Sequence, residues 1–164
     1  MKPFNHLAGK HLEGDGAKIY YEPTGAEDGP VLLFLHGGFG SIEDFNPVLA
    51  GLQKDFRVIG IDSRGQGKST LGEDALTYGR VQKDVERVLD HLGIDTLSVI
   101  GFSDGGIAAY RLASLTSLKV EKLVTIGSRW HLKNTESVRE LLAKVTGESW
   151  PRLASRRSVV LPEQ

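Results

Sequence analysis

The chain has 164 residues, and 20 Lys and Arg against 21 Asp and Glu leave it at −1, a balance that excludes binding of nucleic acid by bulk phosphate neutralisation. Apolar residues make up 40%, and the 20 glycines bring the total near the roughly 45–50% of folded soluble domains, which excludes a disordered tail. The longest apolar run, Val31 to Leu35, is far short of the roughly 18 residues that suggest a membrane span.

Met1 to His6 carries a single Lys and no following apolar stretch, so a secretory leader is not expected. The chain has no cysteine, so disulfides and Cys-based zinc sites are excluded. A cytoplasmic location is the expectation. His6 and His11 have no nearby Cys and no helical pairing that would aim both at one ion, so no metal site is expected there.

Lys18 to Glu22 has strand-forming side chains and is expected to end at Pro23. His11 to Glu13 reads as a partner strand, joined through Gly14-Asp15-Gly16 into an antiparallel hairpin. Four apolar runs follow, Val31–Leu35, Arg57–Ile61, Leu97–Phe102 and Lys122–Ile126. Unbroken apolar runs without alternation suit strands buried on both faces, hence a parallel sheet covered by helices.

The segments between these runs have helical spacing. Residues 41–52 predict a helix that Pro47 keeps short or kinked. Residues 77–92 place Tyr78, Val81, Val85, Val88, Leu89 and Leu92 on one face, and Gly93 stops the helix. Residues 104–115 predict a third, and residues 135–145 a further amphipathic one. The alternation gives an α/β domain with right-handed crossovers, a mostly parallel sheet of about six strands, a first antiparallel hairpin and helices on both faces.

Of the 20 glycines, 13 lie between Gly37 and Gly106, so that stretch needs unusual backbone. Gly101-Phe102-Ser103-Asp104-Gly105-Gly106 is a G-x-S-x-G pattern placed between a buried-strand run and a helix, the setting in which it carries a nucleophile. A serine there sits on a tight turn with its hydroxyl clear of the sheet, facing the first N–H groups of the following helix. The plain alternative is a Gly-rich strand-to-helix turn with no catalytic role. His36-Gly37-Gly38-Phe39-Gly40 closes the first apolar run, and such a cluster lets backbone N–H groups turn toward an oxyanion. Two such loops at the carboxyl ends of neighbouring parallel strands converge.

With His36-Gly37-Gly38 after the third strand, Asp62-Ser63-Arg64-Gly65-Gln66-Gly67-Lys68-Ser69 after the fourth and the Gly101 to Gly106 turn after the fifth, the chain resembles the α/β-hydrolase superfamily. It looks most like the small esterases, lactonases and C–C bond hydrolases with Gly-x-Ser-Asp-Gly-Gly turns. The resemblance implies that Ser103 is the nucleophile and that the backbone N–H groups of Gly38 and Asp104 form the oxyanion hole, with the N–H of Phe39 a lesser contributor. It implies hydrolysis of a small-molecule ester, lactone or related carbonyl. No cofactor is implied, because serine acyl transfer needs neither metal nor organic group.

The family orders its triad Ser, then Asp or Glu, then His. No Asp follows Asp104, and the only later histidine is His131. With Glu136 or Glu148 to orient it, His131 is a weak surrogate, because its place after the sixth run gives its ring no reason to reach Ser103. The whole chain, 1–164, is therefore expected to be one incomplete hydrolase domain. Residues 1–130 form its sheet core, and 131–164 the start of a cap or an unfinished connection, in which Ser158 to Leu161 is the sole, short candidate for another strand. Such a chain is expected to be inactive or very slow, or else a non-catalytic scaffold that associates with itself through an exposed sheet edge. Gly67-Lys68-Ser69 is no phosphate loop, because Asp62 stands where the motif needs glycine. For the Asp104 side chain, capping the helix or facing solvent is favoured over attracting a cationic acyl group.

Overall fold

The computed structural model describes residues 2–129. Val31–Leu35 is strand β3 and Arg57–Ile61 is strand β4. Both are buried over four of their five residues, as apolar side chains on both faces require. Around them lie β1 (Lys10–Gly14), β2 (Ala17–Gly25), β5 (Thr96–Phe102) and β6 (Lys119–Ile126). The sheet order is β1-β2-β4-β3-β5-β6. β1 pairs with β2, and β2 with β4, antiparallel. The β3–β4, β3–β5 and β5–β6 pairs are parallel.

Alternate side chains of these strands feed two cores on opposite faces of the sheet. Leu33, Leu35, Ile59 and Ile61 pack with Val81, Val85, Val88 and Leu89 of helix α2 (Tyr78–His91) and with Ala108, Ala109 and Leu112 of helix α3 (Asp104–Leu115). Leu32, Phe34 and Val58 face the other way, against Phe4, Ile42, Phe45 and Leu49. The last two of these belong to a 3₁₀ turn, Ile42–Phe45, and to helix α1, Asn46–Leu52. Pro47 lies in the first turn of α1, where a missing N–H costs nothing. The expected helix over 41–52 is thus a 3₁₀ turn followed by seven α-helical residues. Thr77 caps α2 by accepting from the Arg80 N–H. Gly93 follows with φ 67°, the left-handed stop that glycine adopts freely.

Two expectations need correction. β2 does not end at Pro23 but runs through it to Gly25. Pairing with β1 stops at Lys10↔Tyr21, so the strand beyond has a neighbour on one side only, where a residue without an N–H is tolerated. The third and fourth apolar runs are not buried on both faces: β5 alternates buried with part-exposed positions and ends on Phe102, 47% exposed. Among the described residues β6 borders only β5, and Val124 and Ile126 are 48% and 52% exposed.

A buried ion pair fastens the hairpin to this frame. Arg64, wholly inaccessible, donates Nε and Nη2 to the two Asp84 oxygens at 2.7 Å each. Its Nη1 donates to the Asp15 carbonyl at 2.9 Å. The loop after β4 is thereby tied to α2 and to the β1–β2 turn, and bidentate geometry makes the pairing directional. Among the described residues no helix is long and apolar enough to cross a membrane. The predicted helix at 135–145, the Ser158–Leu161 candidate strand, His131, Glu136, Glu148 and the boundary at 130/131 lie outside the described residues.

Candidate active site

The chain leaves β3 for β4 on one side and later places β5 on the other side of β3. The loops after β3 and β5 therefore emerge side by side at the carboxyl ends of adjacent parallel strands, the end at which ligands bind in open α/β sheets. The loop after β5 is a single residue, Ser103, with φ 51° and ψ −115°. This conformation is costly for a side-chain-bearing residue by about 1–3 kcal/mol. It is held by its neighbours. The Ser103 N–H donates to the Ile126 carbonyl at 2.9 Å, and the Ser103 carbonyl accepts from Gly106 N–H at 3.0 Å as α3 begins.

Glycine is required around it for want of room. A Cβ at Gly105 would collide with the Leu35 carbonyl, and one at Gly101 would fall 2.6 Å from Gly106 Cα. The side chain of Ser103 makes no capping bond to the helix it starts. The residue is part-exposed, so the hydroxyl sits on the bend and outside the core.

The loop after β3 meets this bend. A Cβ at Gly37 would fall 3.1 Å from Ser103 Cβ and 2.8 Å from the Phe102 ring, and one at Gly38 would fall 2.7 Å from Asp104 Oδ2. The backbone of residues 37 and 38 therefore lies directly against Ser103 and Asp104. Phe39 follows with φ 64° and is 42% exposed.

His36, which opens that loop, is buried. Its Nε2 accepts the Ser63 N–H at 2.9 Å, which leaves Nδ1–H to donate to the Gly37 carbonyl at 2.7 Å. Burial pushes its pKa below the ordinary histidine value, in keeping with a neutral ring whose two nitrogens are both engaged. His36 is thus a structural bridge and has no nitrogen free to serve Ser103 as a base.

The Asp104 side chain neither caps the helix nor stands free. Its Oδ1 accepts the Tyr78 O–H at 2.7 Å. Burial, and then the facing Asp104 charge, push the Tyr78 phenol pKa up, so it remains a donor. The sequence marked Tyr78 only as a core position of α2. The aromatic body satisfies the helical spacing, and nothing in the pattern reports where a hydroxyl ends.

Asp62, in the motif after β4, is the other residue that the pattern undervalues. Its fully buried carboxylate accepts the Ile42 N–H at 2.9 Å on Oδ1 and the Lys68 N–H at 2.8 Å on Oδ2, and His6 Nε2 stands 2.7 Å from Oδ2. Gly67 is a glycine because a Cβ there would collide with this carboxylate. Lys68 is exposed, as the sequence suggests.

Residues 30–156 match the family model for the alpha/beta hydrolase fold. The chain belongs to that family. It is 35% identical over 116 residues to a bifunctional esterase/perhydrolase of Acinetobacter calcoaceticus, covering 70% of this chain and 42% of that protein. It is 34% identical over 129 residues to the human serine hydrolase BPHL, covering 76% of this chain and 44% of that one. Among solved structures, a hydrolase from Pseudomonas aeruginosa superposes with a TM-score of 0.77 at 27% identity, over 94% of this chain and 64% of that chain. This member of the alpha/beta hydrolase fold family spans less than half the length of these two curated relatives.

Proposed function

We propose that the chain carries the nucleophile and oxyanion hole of a serine hydrolase acting on a small-molecule ester, lactone or related carbonyl. The observation that carries this reading is Ser103, in a left-handed conformation at a strand-to-helix junction, with the Gly37–Gly38 backbone packed against it. In this reading the Ser103 O–H bond breaks, its proton passing to solvent water, as Oγ bonds to the substrate carbonyl carbon and the π electrons move onto the carbonyl oxygen. The N–H groups of Gly38 and Asp104 receive that oxyanion, with Phe39 N–H beside them. Collapse expels the alkoxide, which leaves as the alcohol once protonated, and water then releases the acid from the acyl-enzyme. His36 is committed elsewhere, and no Asp follows Asp104. With none of the described histidines placed as a base at the Ser103 hydroxyl, turnover is expected to be of the slow, residual kind that an oxyanion hole supports without its other partners.

The test is covalent labelling by a serine-directed fluorophosphonate. The parent chain is expected to take one label at residue 103, and Ser103→Ala none. An unlabelled parent, or equal labelling of both, would remove the nucleophile assignment.

A second reading, a scaffold that associates through β6, is favoured by the half-exposed Val124 and Ile126 at a strand with one described neighbour. It predicts concentration-dependent oligomers in sedimentation velocity. A single monomeric species at high concentration would count against it.

A further inference from the structure

We propose that His6 is a positioning residue for the oxyanion loop, acting through Asp62. The inference rests on the reading of residues 37–39 as that loop, because donors aimed at a developing charge are effective only when held in place beforehand.

The loop is anchored at its two ends to two adjacent residues after β4, Ser63 at the start and Asp62 at the end. At its start the His36 ring joins the Gly37 carbonyl to the Ser63 N–H. At its end the Ile42 N–H donates to Asp62 Oδ1 at 2.9 Å. Asp62 and Ser63 are therefore the abutment on which the loop rests. His6 completes that abutment from a distant part of the chain. Its Nε2 lies 2.7 Å from Asp62 Oδ2, and its Nδ1 lies 3.6 Å from Glu43 Oε2, just past the loop's end. One ring thus spans the anchor and the first turn that follows the loop.

Residues 2–9 form a strap that delivers this ring. Phe4 is buried against Phe34, with centroids 6.5 Å apart, and lies over Gly60, where a Cβ would fall 2.8 Å from its ring. Asn46 brackets it, accepting the Phe4 N–H and donating to the Phe4 carbonyl at 2.9 Å each. Buried Glu22 accepts the N–H groups of Asn5 and His6 at 3.3 and 3.1 Å, together with the Tyr20 O–H at 2.7 Å. The Tyr20 ring flanks the His6 ring at 5.2 Å. At His6 the backbone turns to φ 57°, a conformation that β-carbon-bearing residues avoid. The contact made by its side chain offsets that cost.

The experiment uses the full chain, ¹⁵N-labelled, with His6→Asn and His6→Gln. Asparagine tolerates the left-handed backbone but is too short to reach Asp62, whereas glutamine restores a donor at longer reach. Amide exchange at Ile42 and Lys68 is expected to speed up about tenfold in His6→Asn, with Val58 in the core unchanged and His6→Gln nearer the parent. In phosphonate labelling, the inactivation rate constant is expected to fall while the apparent reagent affinity holds. Unchanged exchange at Ile42 and Lys68, a uniform rise across the sheet in both variants, or altered exchange with an unaltered inactivation rate would each overturn the proposal. A parent that takes no label fails the nucleophile reading separately, and the exchange data then decide whether His6 holds the loop.

Discussion

The turn at 101–106 and the strap at 2–9 both hold a side-chain-bearing residue at positive φ, Ser103 at 51° and His6 at 57°, yet they do so by different means. At Ser103 the conformation is imposed by the backbone packed around it, since Gly101 and Gly105 let strands β5 and β3 approach the start of α3 to where any Cβ would overlap. At His6 it is imposed from afar, by Asp62, Glu22 and the Phe4 plug. Strain held by local backbone is independent of the strained side chain, which is left exposed for chemistry. Strain held by side-chain bonds exists for the sake of those bonds.

Breaking the first region should have the largest effect. Gly105→Ala drives a methyl into the Leu35 carbonyl and is expected to destabilise the chain by about 3 kcal/mol or more, or to prevent folding, as read by urea denaturation. Phe4→Ala in the strap is expected to cost about 3 kcal/mol by emptying a buried site, with faster exchange at Asn5 and His6 beyond the global loss. The contrast sharpens with one substitution made twice. Ser103→Gly is expected to raise stability by about 1 kcal/mol while abolishing labelling, because it releases strain and removes no capping bond. His6→Gly is expected to lower stability, because the relief is smaller than the bond lost to Asp62. A stabilised His6→Gly would make the two regions alike.

The smallest effect is a pH dependence. His36 has its pKa lowered by burial from 6.5, so below about pH 6.5 the unfolded chain binds a proton that the folded chain refuses. Its contribution is fully present above that pH and is lost as pH falls toward the lower folded value. The denaturation midpoint of the parent should drop over this window, and His36→Gln should flatten the slope.

The sequence is legible where structure is made by adjacent residues. The bounds of Val31–Leu35 and Arg57–Ile61, the start of α3 at Asp104 and the meeting of the Gly37–Gly38 loop with Ser103 all follow from runs and turns that are contiguous in the chain. It is illegible where a single atom decides the outcome. Residues 2–9 have no period, so nothing marks Phe4 as a plug or His6 as a partner of Asp62, 56 residues away. The Tyr78 hydroxyl lies at the end of a side chain whose spacing reports only its ring. The burial of β5 and β6 could not be judged from composition, because Ile100, Phe102, Val124 and Ile126 look as apolar as the residues of the buried runs do and differ in standing on the less covered face of the sheet.

The place of β3 in the sheet has a consequence for how the chain is made. One edge of β3 pairs with β4 soon after both are synthesised, but the other must wait for β5, with Leu33 opposite Val99 and Leu35 opposite Gly101. Until then a translating ribosome displays an apolar strand with an open edge, the type of surface that invites mispairing between nascent chains. Non-local parallel pairing is slow to form, so this protein should be most vulnerable to aggregation, and most helped by holdase chaperones, in the interval before residue 102 leaves the exit tunnel.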